Sequence, residues 1–203
     1  MNDTQECIAK TKEVLAREID QTLENLTIDY YREAVDLINE AEKNQHRVHI
    51  TGIGKPGHLS GYIASLMSST GTKTYFLDGT EAVHGSCGQL EAGDVVICIS
   101  NSGETNELKA TVNAIQSNGC KVIGVSGNPD SWLAKQSDVH LSAHVTEEGG
   151  PLNRAPRASI LVEMVVLQIL SVILQYQKNI TPKQYVTWHP GGALGVLKEE
   201  ERG

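Results

Sequence analysis

Residues 95–108 read VVICISNSGETNEL, and this stretch decides the fold. Its first five residues, from Val95 to Ile99, are apolar and largely β-branched, which is typical of a strand buried on both faces of a parallel sheet. A short polar turn follows, and residues 104–117 then carry apolar side chains at helical spacing. The stretch therefore predicts a strand, a tight turn and a helix in direct succession.

The turn between this strand and helix gathers hydroxyl, amide and glycine residues: Ser100, Asn101, Ser102, Gly103 and Thr105. A helix N-terminus has free backbone N–H groups and a partial positive charge, so it favours a bound anion such as phosphate. We therefore predict a phosphate site here. In an alternative interpretation Ser102 or Thr105 only caps the helix, which explains one hydroxyl but not the cluster.

The composition of the 203-residue chain narrows the class of protein. Its length suits one large domain with a substantial core, and aromatic residues make up only 4% of it. The formal net charge of -8 argues against a nucleic-acid binder or a protein that binds acidic membranes, because both need a basic surface. An anionic ligand must then be held by local donors.

The cysteines and the apolar segments indicate a cytoplasmic protein. The four cysteines show no metal-type spacing and are interpreted as free thiols in a reducing compartment. The polar N-terminus lacks the regions of a signal peptide. The most apolar stretch, residues 159–174, is interrupted by Glu163, Gln168 and Ser171, so we predict a buried helix at the core or a subunit interface and no membrane span.

Strands alternate with helices along the rest of the chain. We predict two N-terminal helices, a long helix over residues 159–177, and five strands at residues 47–51, 73–77, 95–100, 121–126 and 139–143. This alternation predicts an α/β fold with a doubly wound five-stranded parallel sheet flanked by helices. We expect one domain over residues 1–203, in which residues 1–45 form the N-terminal helices and residues 46–203 the sheet-containing core. Ligands are expected at the carboxyl ends of the strands.

The loop after the first strand, residues 52–57, matches G-x-G-x-x-G, and Asp78 follows at about the distance of a ribose-binding acid. A dinucleotide site is therefore one hypothesis. Lys55 is not part of that fingerprint and suits a phosphate or oxyanion, and the spacing does not fit a Walker A loop. Glycines that serve only a tight turn would explain Gly52 and Gly54 but not Lys55.

Further residues carry candidate acid–base chemistry. His84 lies in an apolar-flanked segment, where a structural histidine is as good an interpretation as a functional one. Glu107 lies one turn into the helix after the predicted phosphate site, although a solvated helix glutamate is a strong alternative. Glu147 and Glu148 follow the fifth strand, and His189 lies in a rigid Pro-Gly-Gly context. Together they suit proton transfer on a phosphorylated sugar.

Five motifs in one order give the chain a family resemblance. They are GIGKPGH at 52–58, GTEAVHG at 79–85, SNSGETNEL at 100–108, EEGGPL at 147–152 and HPGGALG at 189–195. On these motifs the sequence resembles the sugar isomerase (SIS) domain family, and within it the arabinose-5-phosphate isomerases. The resemblance implies a cytoplasmic homotetramer that interconverts D-arabinose 5-phosphate and D-ribulose 5-phosphate.

The resemblance also implies residue roles. The phosphate would be held by Ser100, Ser102 and Thr105, with Asn101 and Gly103 shaping the turn, and Gly54 joins this substrate-binding set.

The catalytic set implied by the resemblance is Lys55, Glu107, Glu148 and His189, with His84 as a further histidine that a neighbouring subunit could contribute. Either Glu148 or His189 would move the C2 proton, and Lys55 would balance the enediolate. No metal or organic cofactor is implied.

The chain departs from the family pattern in several places. Many members continue past HPGGALG into a pair of CBS regulatory modules, so we expect a catalytic SIS domain without that pair. Arg157 stands where small hydroxyl residues are usual near the sugar site, which predicts altered substrate scope or rate. Pro56 and Ser86 replace a usual serine and aspartate.

Three alternatives to this isomerase remain open from the sequence. The first is a sugar-phosphate sensor that binds without turnover, and the second is an isomerase of a different sugar phosphate. The third is a dinucleotide-binding oxidoreductase.

Overall fold

The computed structural model describes residues 3–201, which surround a five-stranded sheet. The strands are β1 (Val48–Gly52), β2 (Thr74–Phe76), β3 (Val95–Ile99), β4 (Lys121–Ser126) and β5 (Val139–Ser142). All pairs are parallel, in the order β2-β1-β3-β4-β5. The predicted fold class is confirmed, and each strand lies within two residues of its predicted bounds.

The central strand β3 explains why the sheet forms where it does. Val95 aligns with Val48 of β1 and with Lys121 of β4, so β3 is paired along both edges. Its side chains alternate between two separate apolar clusters, with Ile97 in one and Cys98 in the other, and both are fully buried. A strand covered on both faces needs an uninterrupted apolar run, which is what residues 95–99 supply.

Helices cover both faces of the sheet. They are α1 (Asp3–Asn25), α2 (Ile28–Lys43), α3 (Lys55–Ser69), α4 (Asn106–Ser117), α5 (Trp132–Gln136), α6 (Ala158–Gln177) and α7 (Pro182–Trp188). Buried residues of α2, α3 and α6 pack on one face, and those of α4 and α5 pack on the other. Between residues 3 and 201 there are also four short 3-10 segments, of which Glu81–His84 and Ser86–Gln89 follow β2.

Helices α5 and α7 are absent from the sequence prediction. Helix α5 has five residues, too few for an apolar period to show. Helix α7 begins with a capping box between Thr181 and Gln184, followed by a proline at its first turn. The sequence predicts a loop only over residues 187–195, and its first two residues, Thr187 and Trp188, belong to α7 instead.

The N-terminal helix α1 has the predicted amphipathic pattern but little burial. Only Val14 and Glu18 are buried, and Ile8 and Leu23 keep 48% and 47% of their surface exposed. Helix α1 packs on α6, whereas the predicted second helix, α2, buries its whole apolar stripe. The two N-terminal helices therefore differ in how far the single chain covers them.

Helix α6 is the one helix within residues 3–201 that is long and apolar enough to cross a membrane by length and composition. Half of its most apolar 18-residue window, 50%, is buried inside the structure. It packs against α1, α2 and α3. A core helix of a soluble protein passes the same test, so this is weak evidence for a membrane span.

The strand order places a crevice between β1 and β3. Strand β1 continues to β2 on one side, whereas β3 and the later strands extend the sheet on the other. At such a reversal the loops after the two strands run in opposite directions and leave a gap at the carboxyl edge. Residues 53–56 after β1 and residues 100–105 after β3 border this gap.

Candidate functional site

A cavity of about 260 Å³ lies at this reversal of strand order, and we call it the β1/β3 cavity. Its lining comes from the loops after β1 and β3, the segment before α6, and the first turns of α6. The lining residues are Ile53, Pro56, Ile99, Ser100, Asn101, Ser102, Thr105, Glu148, Arg154, Pro156, Ser159 and Glu163. Four of the predicted phosphate-binding residues and one predicted catalytic residue are thus brought together.

The loop of residues 100–105, here the β3 loop, is held by hydrogen bonds within itself. The Ser100 hydroxyl lies 3.2 Å from the Thr105 hydroxyl and accepts a hydrogen bond from the Gly103 N–H at 3.2 Å. The Ser102 hydroxyl accepts from the Glu104 N–H at 3.2 Å. Thr105 occupies the N-cap of α4 but makes no capping bond with its side chain. The capping interpretation is therefore wrong for Thr105, whose hydroxyl faces Ser100 instead.

Gly103 is required by the shape of the β3 loop. Its φ is +65°, in the left-handed region that favours glycine. A Cβ atom at this position would lie 2.2 Å from the Ser131 hydroxyl oxygen. The Gly103 carbonyl also accepts a hydrogen bond from the Leu133 N–H at 3.0 Å, so the β3 loop is packed directly on the start of α5.

Glu148 is buried at the cavity, and its carboxylate is oriented by two backbone donors. Its Oε2 accepts hydrogen bonds from the Arg157 N–H at 2.6 Å and the Ser159 N–H at 3.1 Å. Its own N–H donates to Asn153 Oδ1 at 2.6 Å. Because both bonds to the carboxylate use Oε2, Oε1 is the oxygen available to exchange a proton with a ligand.

Helix α1 holds the segment of residues 145–149, here the acidic segment, which carries Glu148. The buried Glu18 carboxylate accepts from the Thr146 N–H at 2.9 Å and from the Thr146 hydroxyl at 2.5 Å. The Thr11 hydroxyl donates to the Gly149 carbonyl at 2.6 Å. These contacts fix the chain on both sides of Glu148.

Charge strengthens this attachment. Burial acts to raise the pKa of Glu18, but hydrogen bonds from Arg17 and Thr146 outweigh it and lower that pKa below the ordinary value. Arg17 also bonds Glu147 at 2.6 Å. Of the two neighbouring glutamates, Glu147 therefore pairs with α1, and Glu148 faces the cavity.

The other predicted catalytic residues do not line the cavity within residues 3–201. Lys55 is exposed at the first position of α3, between the lining residues Ile53 and Pro56. Glu107 is exposed in the first turn of α4, and His84 is exposed at the end of a 3-10 turn.

The predicted catalytic His189 lies in a different part of the molecule. Its Nδ1 lies 2.8 Å from the Tyr185 carbonyl oxygen, and its ring stacks on Tyr185 with centroids 4.0 Å apart. His189 caps the C-terminal end of helix α7. Within residues 3–201 it is not one of the residues that line the β1/β3 cavity. A site that uses His189 cannot be completed by the β1/β3 cavity of one chain in this arrangement.

The glycines in the loop after β1 are needed for the tight turn between β1 and α3. A Cβ atom on Gly52 would lie 2.8 Å from the Pro56 Cβ, and one on Gly57 would lie 2.7 Å from the Gly52 carbonyl oxygen. Gly54 has a φ of +67° but open space around its Cα. Asp78, the predicted ribose acid, accepts from the Thr80 and Glu81 N–H groups at 2.8 and 3.0 Å. Its carboxylate thus holds a turn, which weakens the dinucleotide hypothesis.

Three polar lining residues are absent from the site predicted from the sequence: Arg154, Ser159 and Glu163. Glu163 is 1% exposed, and its pKa is raised to about 8 by burial and, secondarily, by the nearby charge of Glu148. Ser159 and Glu163 stand four residues apart in an otherwise apolar helix, which places them on one helical face. That spacing is the signal by which the sequence could have revealed them.

Arg157, which is predicted to lie near the sugar site, contacts Glu148 through its backbone. Its N–H donates to the Glu148 carboxylate, but its guanidinium packs against Gly150. A Cβ atom on Gly150 would lie 2.3 Å from Arg157 Nη1. The cation that lines the cavity is Arg154 of the same segment. Within residues 3–201 no group of three or more His, Cys, Asp or Glu side chains is placed to hold a metal ion.

Two bacterial relatives match most of this chain. Arabinose 5-phosphate isomerase KdsD of Francisella tularensis is 37% identical over 183 residues, covering 89% of this chain and 56% of the relative. The same-named protein of Pseudomonas aeruginosa is 40% identical over 158 residues, covering 76% of this chain and 48% of the relative. The chain spans about half the length of these curated relatives.

A solved structure matches nearly the whole chain. The Escherichia coli CFT073 protein c3406, in complex with arabinose 5-phosphate, superposes with a TM-score of 0.85 at 30% identity. The match covers 94% of this chain and 100% of that one. The family profile described as SIS domain matches residues 43–173, which hold the whole sheet and most of α6. The chain therefore belongs to the SIS domain family.

Proposed function

We propose that this chain is an aldose–ketose isomerase that interconverts D-arabinose 5-phosphate and D-ribulose 5-phosphate. The observation that carries the proposal is the β1/β3 cavity, where the β3 loop and the oriented carboxylate of Glu148 lie together. A bound anion and a proton acceptor in one cavity suit proton transfer on a sugar phosphate. The curated relatives named above are arabinose 5-phosphate isomerases.

In the proposed site the β3 loop binds the phosphate. Ser100, Ser102 and Thr105 provide hydroxyl donors, and the N-terminus of α4 adds free backbone N–H groups. Arg154 lines the same cavity and supplies a local cation for the phosphate in a chain whose formal net charge is -8. Asn101, Gly103 and Gly54 shape the two loops that border the ligand.

The chemistry requires a proton to leave C2 of the aldose and another to arrive at C1. A base accepts the C2 proton and the electrons form an enediolate; the O2 hydroxyl proton passes to O1, and the same base returns its proton to C1 as the C2 carbonyl of the ketose forms. Glu148 Oε1 is suited to this role because Oε2 is already fixed by two backbone donors. Lys55 and Glu107 would assist from the rim, with Lys55 balancing the developing oxyanion.

We further propose that the active enzyme is a cytoplasmic homotetramer of one-domain subunits. His84 and His189 are placed outside the cavity of one chain, and α1 keeps apolar side chains exposed. A neighbouring subunit that presents one of these histidines would complete the catalytic set. Light scattering on the purified protein measures the assembly.

A complementation experiment tests the shared site. Glu148→Gln and His189→Ala variants are unfolded, mixed and refolded together. Recovery of activity above that of either variant alone would show that the two residues act from different subunits. No recovery from mixed oligomers would place both in one subunit.

Incubation of the protein with D-arabinose 5-phosphate in deuterated water tests the activity itself. The expected result is D-ribulose 5-phosphate with solvent deuterium incorporated, observed by NMR. Binding without product or exchange would indicate a sugar-phosphate sensor instead. Product from a different aldose phosphate only would keep the isomerase class and change the substrate.

A further inference from the structure

The β1/β3 cavity contains an unusual concentration of unpartnered polar atoms. Among residues 3–201 four buried side-chain oxygens lack a hydrogen-bond partner: Thr51 Oγ1, Ser159 Oγ and both carboxyl oxygens of Glu163. Three of these four belong to residues that line this one cavity. Buried polar atoms are normally paired, because an unpaired one loses its hydration without compensation. A cluster of them at a cavity points to a ligand that supplies the missing partners.

Ser159 and Glu163, the two residues that carry these three atoms, form one wall of the cavity, and this wall has a rigid support. Ser159 and Glu163 lie in the first turns of α6, four residues apart and therefore on one face of the helix. Neighbouring residues of the same helix, including Val162 and Val166, are fully buried in the core. The wall is thus fixed in position before a ligand arrives.

This wall differs in chemistry from the β3 loop. The β3 loop offers hydroxyls and a helix N-terminus, which suit a phosphate, whereas the wall offers one hydroxyl and one carboxyl group. A carboxyl group is a poor neighbour for a phosphate but a good partner for sugar hydroxyls, which both donate and accept hydrogen bonds.

We propose that Glu163, together with Ser159, binds the sugar portion of the substrate by hydrogen bonds to its hydroxyl groups. The inference rests on the proposed function, since it takes the ligand to be a sugar phosphate. Glu163 is then a substrate-binding residue that discriminates a sugar phosphate from phosphate alone.

The protonation state of Glu163 fits this role. Its pKa is raised to about 8 because the carboxyl is buried and because Glu148 is close, so it is largely neutral at pH 7. The charged residues that line the cavity beside it are Glu148 and Arg154, both from the segment before α6. A neutral carboxyl group both donates and accepts hydrogen bonds and does not repel the phosphate.

Calorimetric titration with two probes, D-arabinose 5-phosphate and inorganic phosphate, tests the inference. Glu163→Leu should weaken binding of the sugar phosphate about tenfold, a loss of roughly 1.4 kcal/mol, and leave phosphate affinity unchanged. Glu163→Gln keeps a neutral donor and acceptor and should stay within about threefold of the wild type. Glu33→Gln, at an exposed position of α2, is the control for loss of a glutamate.

Leucine suits a buried helix position, so thermal unfolding should show Glu163→Leu folded and at least as stable as the wild type. Unchanged sugar-phosphate affinity in that variant would overturn the inference. Equal loss for both probes would also overturn it, because the contact would then not be with the sugar. So would a wild type that binds the sugar phosphate no more tightly than phosphate. The binding measurement needs no turnover, so failure of the isomerase proposal, seen as absence of ketose, is read separately.

Discussion

The β3 loop and the acidic segment bring polar groups to the same cavity, but they are held in different ways. The β3 loop is fixed by contacts within residues 100–105 and by the neighbouring start of α5. The acidic segment depends on α1, whose Thr11 and Glu18 contact it across 138 and 128 residues of sequence. The geometry of the proposed anion site is therefore a local property of this chain, whereas placement of Glu148 depends on distant parts of it.

The two regions, which are held in different ways, also have different roles in the proposed site. The local loop holds the part of the substrate that does not react, and the remotely held segment carries the carboxylate nearest to the chemistry. If that division is correct, substitutions in the first region should change binding and those in the second should change turnover.

The largest expected effect comes from Glu148→Gln. Glutamine keeps an acceptor for the Arg157 and Ser159 N–H groups but cannot take a proton, so turnover should fall by about 10²- to 10⁴-fold with little change in KM. Initial rates of ketose formation at several substrate concentrations give both kcat and KM. Glu147→Gln, one residue away and paired with Arg17 on the surface, is the matched control and should stay near the wild-type rate. Full activity in Glu148→Gln would remove this carboxylate from the mechanism.

Gly103→Ala tests whether the β3 loop is as self-contained as its contacts indicate. The left-handed φ and the 2.2 Å approach to the Ser131 hydroxyl should together lower the free energy of unfolding. We expect a loss of about 2–4 kcal/mol, measured by urea denaturation, together with weaker phosphate binding. Gly61→Ala is the control, because Gly61 lies in α3 with no atom near its added Cβ and should gain about 0.5–1 kcal/mol. Equal free energies of unfolding for Gly103→Ala and Gly61→Ala would show that the β3 loop does not require glycine at position 103.

Ser102→Ala sharpens the assignment of phosphate binding. Loss of a hydrogen bond to a charged group costs about 1.5–3 kcal/mol, so KM should rise by about 10- to 150-fold while turnover changes little. Ser117→Ala, at the opposite end of α4 and exposed, should leave both constants unchanged. A fall in turnover with unchanged KM would reverse the proposed division between the two regions.

The smallest expected effect comes from the attachment of the acidic segment to α1. Glu18→Gln should lower the free energy of unfolding by about 1 kcal/mol at pH 7. Because the pKa of Glu18 is lowered in the folded protein, its contribution is present above the ordinary value of 4.5 and is lost as the pH falls through the lowered value.

The difference in unfolding free energy between wild type and Glu18→Gln should therefore shrink in acid. Thermal or urea unfolding between pH 7 and pH 3 measures it. Glu13→Gln, exposed on the same helix, provides the baseline. A difference that stays constant across this range would show that the charge of Glu18 does not hold the segment.

The sheet was predictable because each strand carries its own signal. Residues 95–99 and 121–126 are apolar runs between turns, and neither needs knowledge of the rest of the chain. Helix α7 escaped prediction because it is short, although Thr181 and Gln184 give a readable start signal.

The local half of the cavity was easier to predict from the sequence than the remote half. The β3 loop is contiguous, so Ser100, Ser102 and Thr105 could be grouped from the sequence and are indeed adjacent. The orientation of Glu148 could not be predicted, since it depends on α1. In the sequence, Glu163 only interrupts an apolar stretch. Its spacing from Ser159 does not show that its carboxyl is buried at a cavity, because that depends on how the helices and loops pack.

The attachment of the acidic segment to α1 also bears on the order in which the site forms during folding. Contacts between residues separated by more than a hundred positions form late, because a long loop must close before they contribute any energy. The β3 loop, by contrast, can form once β3, α4 and the adjacent β4 have assembled. We therefore expect a folding chain to acquire affinity for anions before it positions the carboxylate that would act on them.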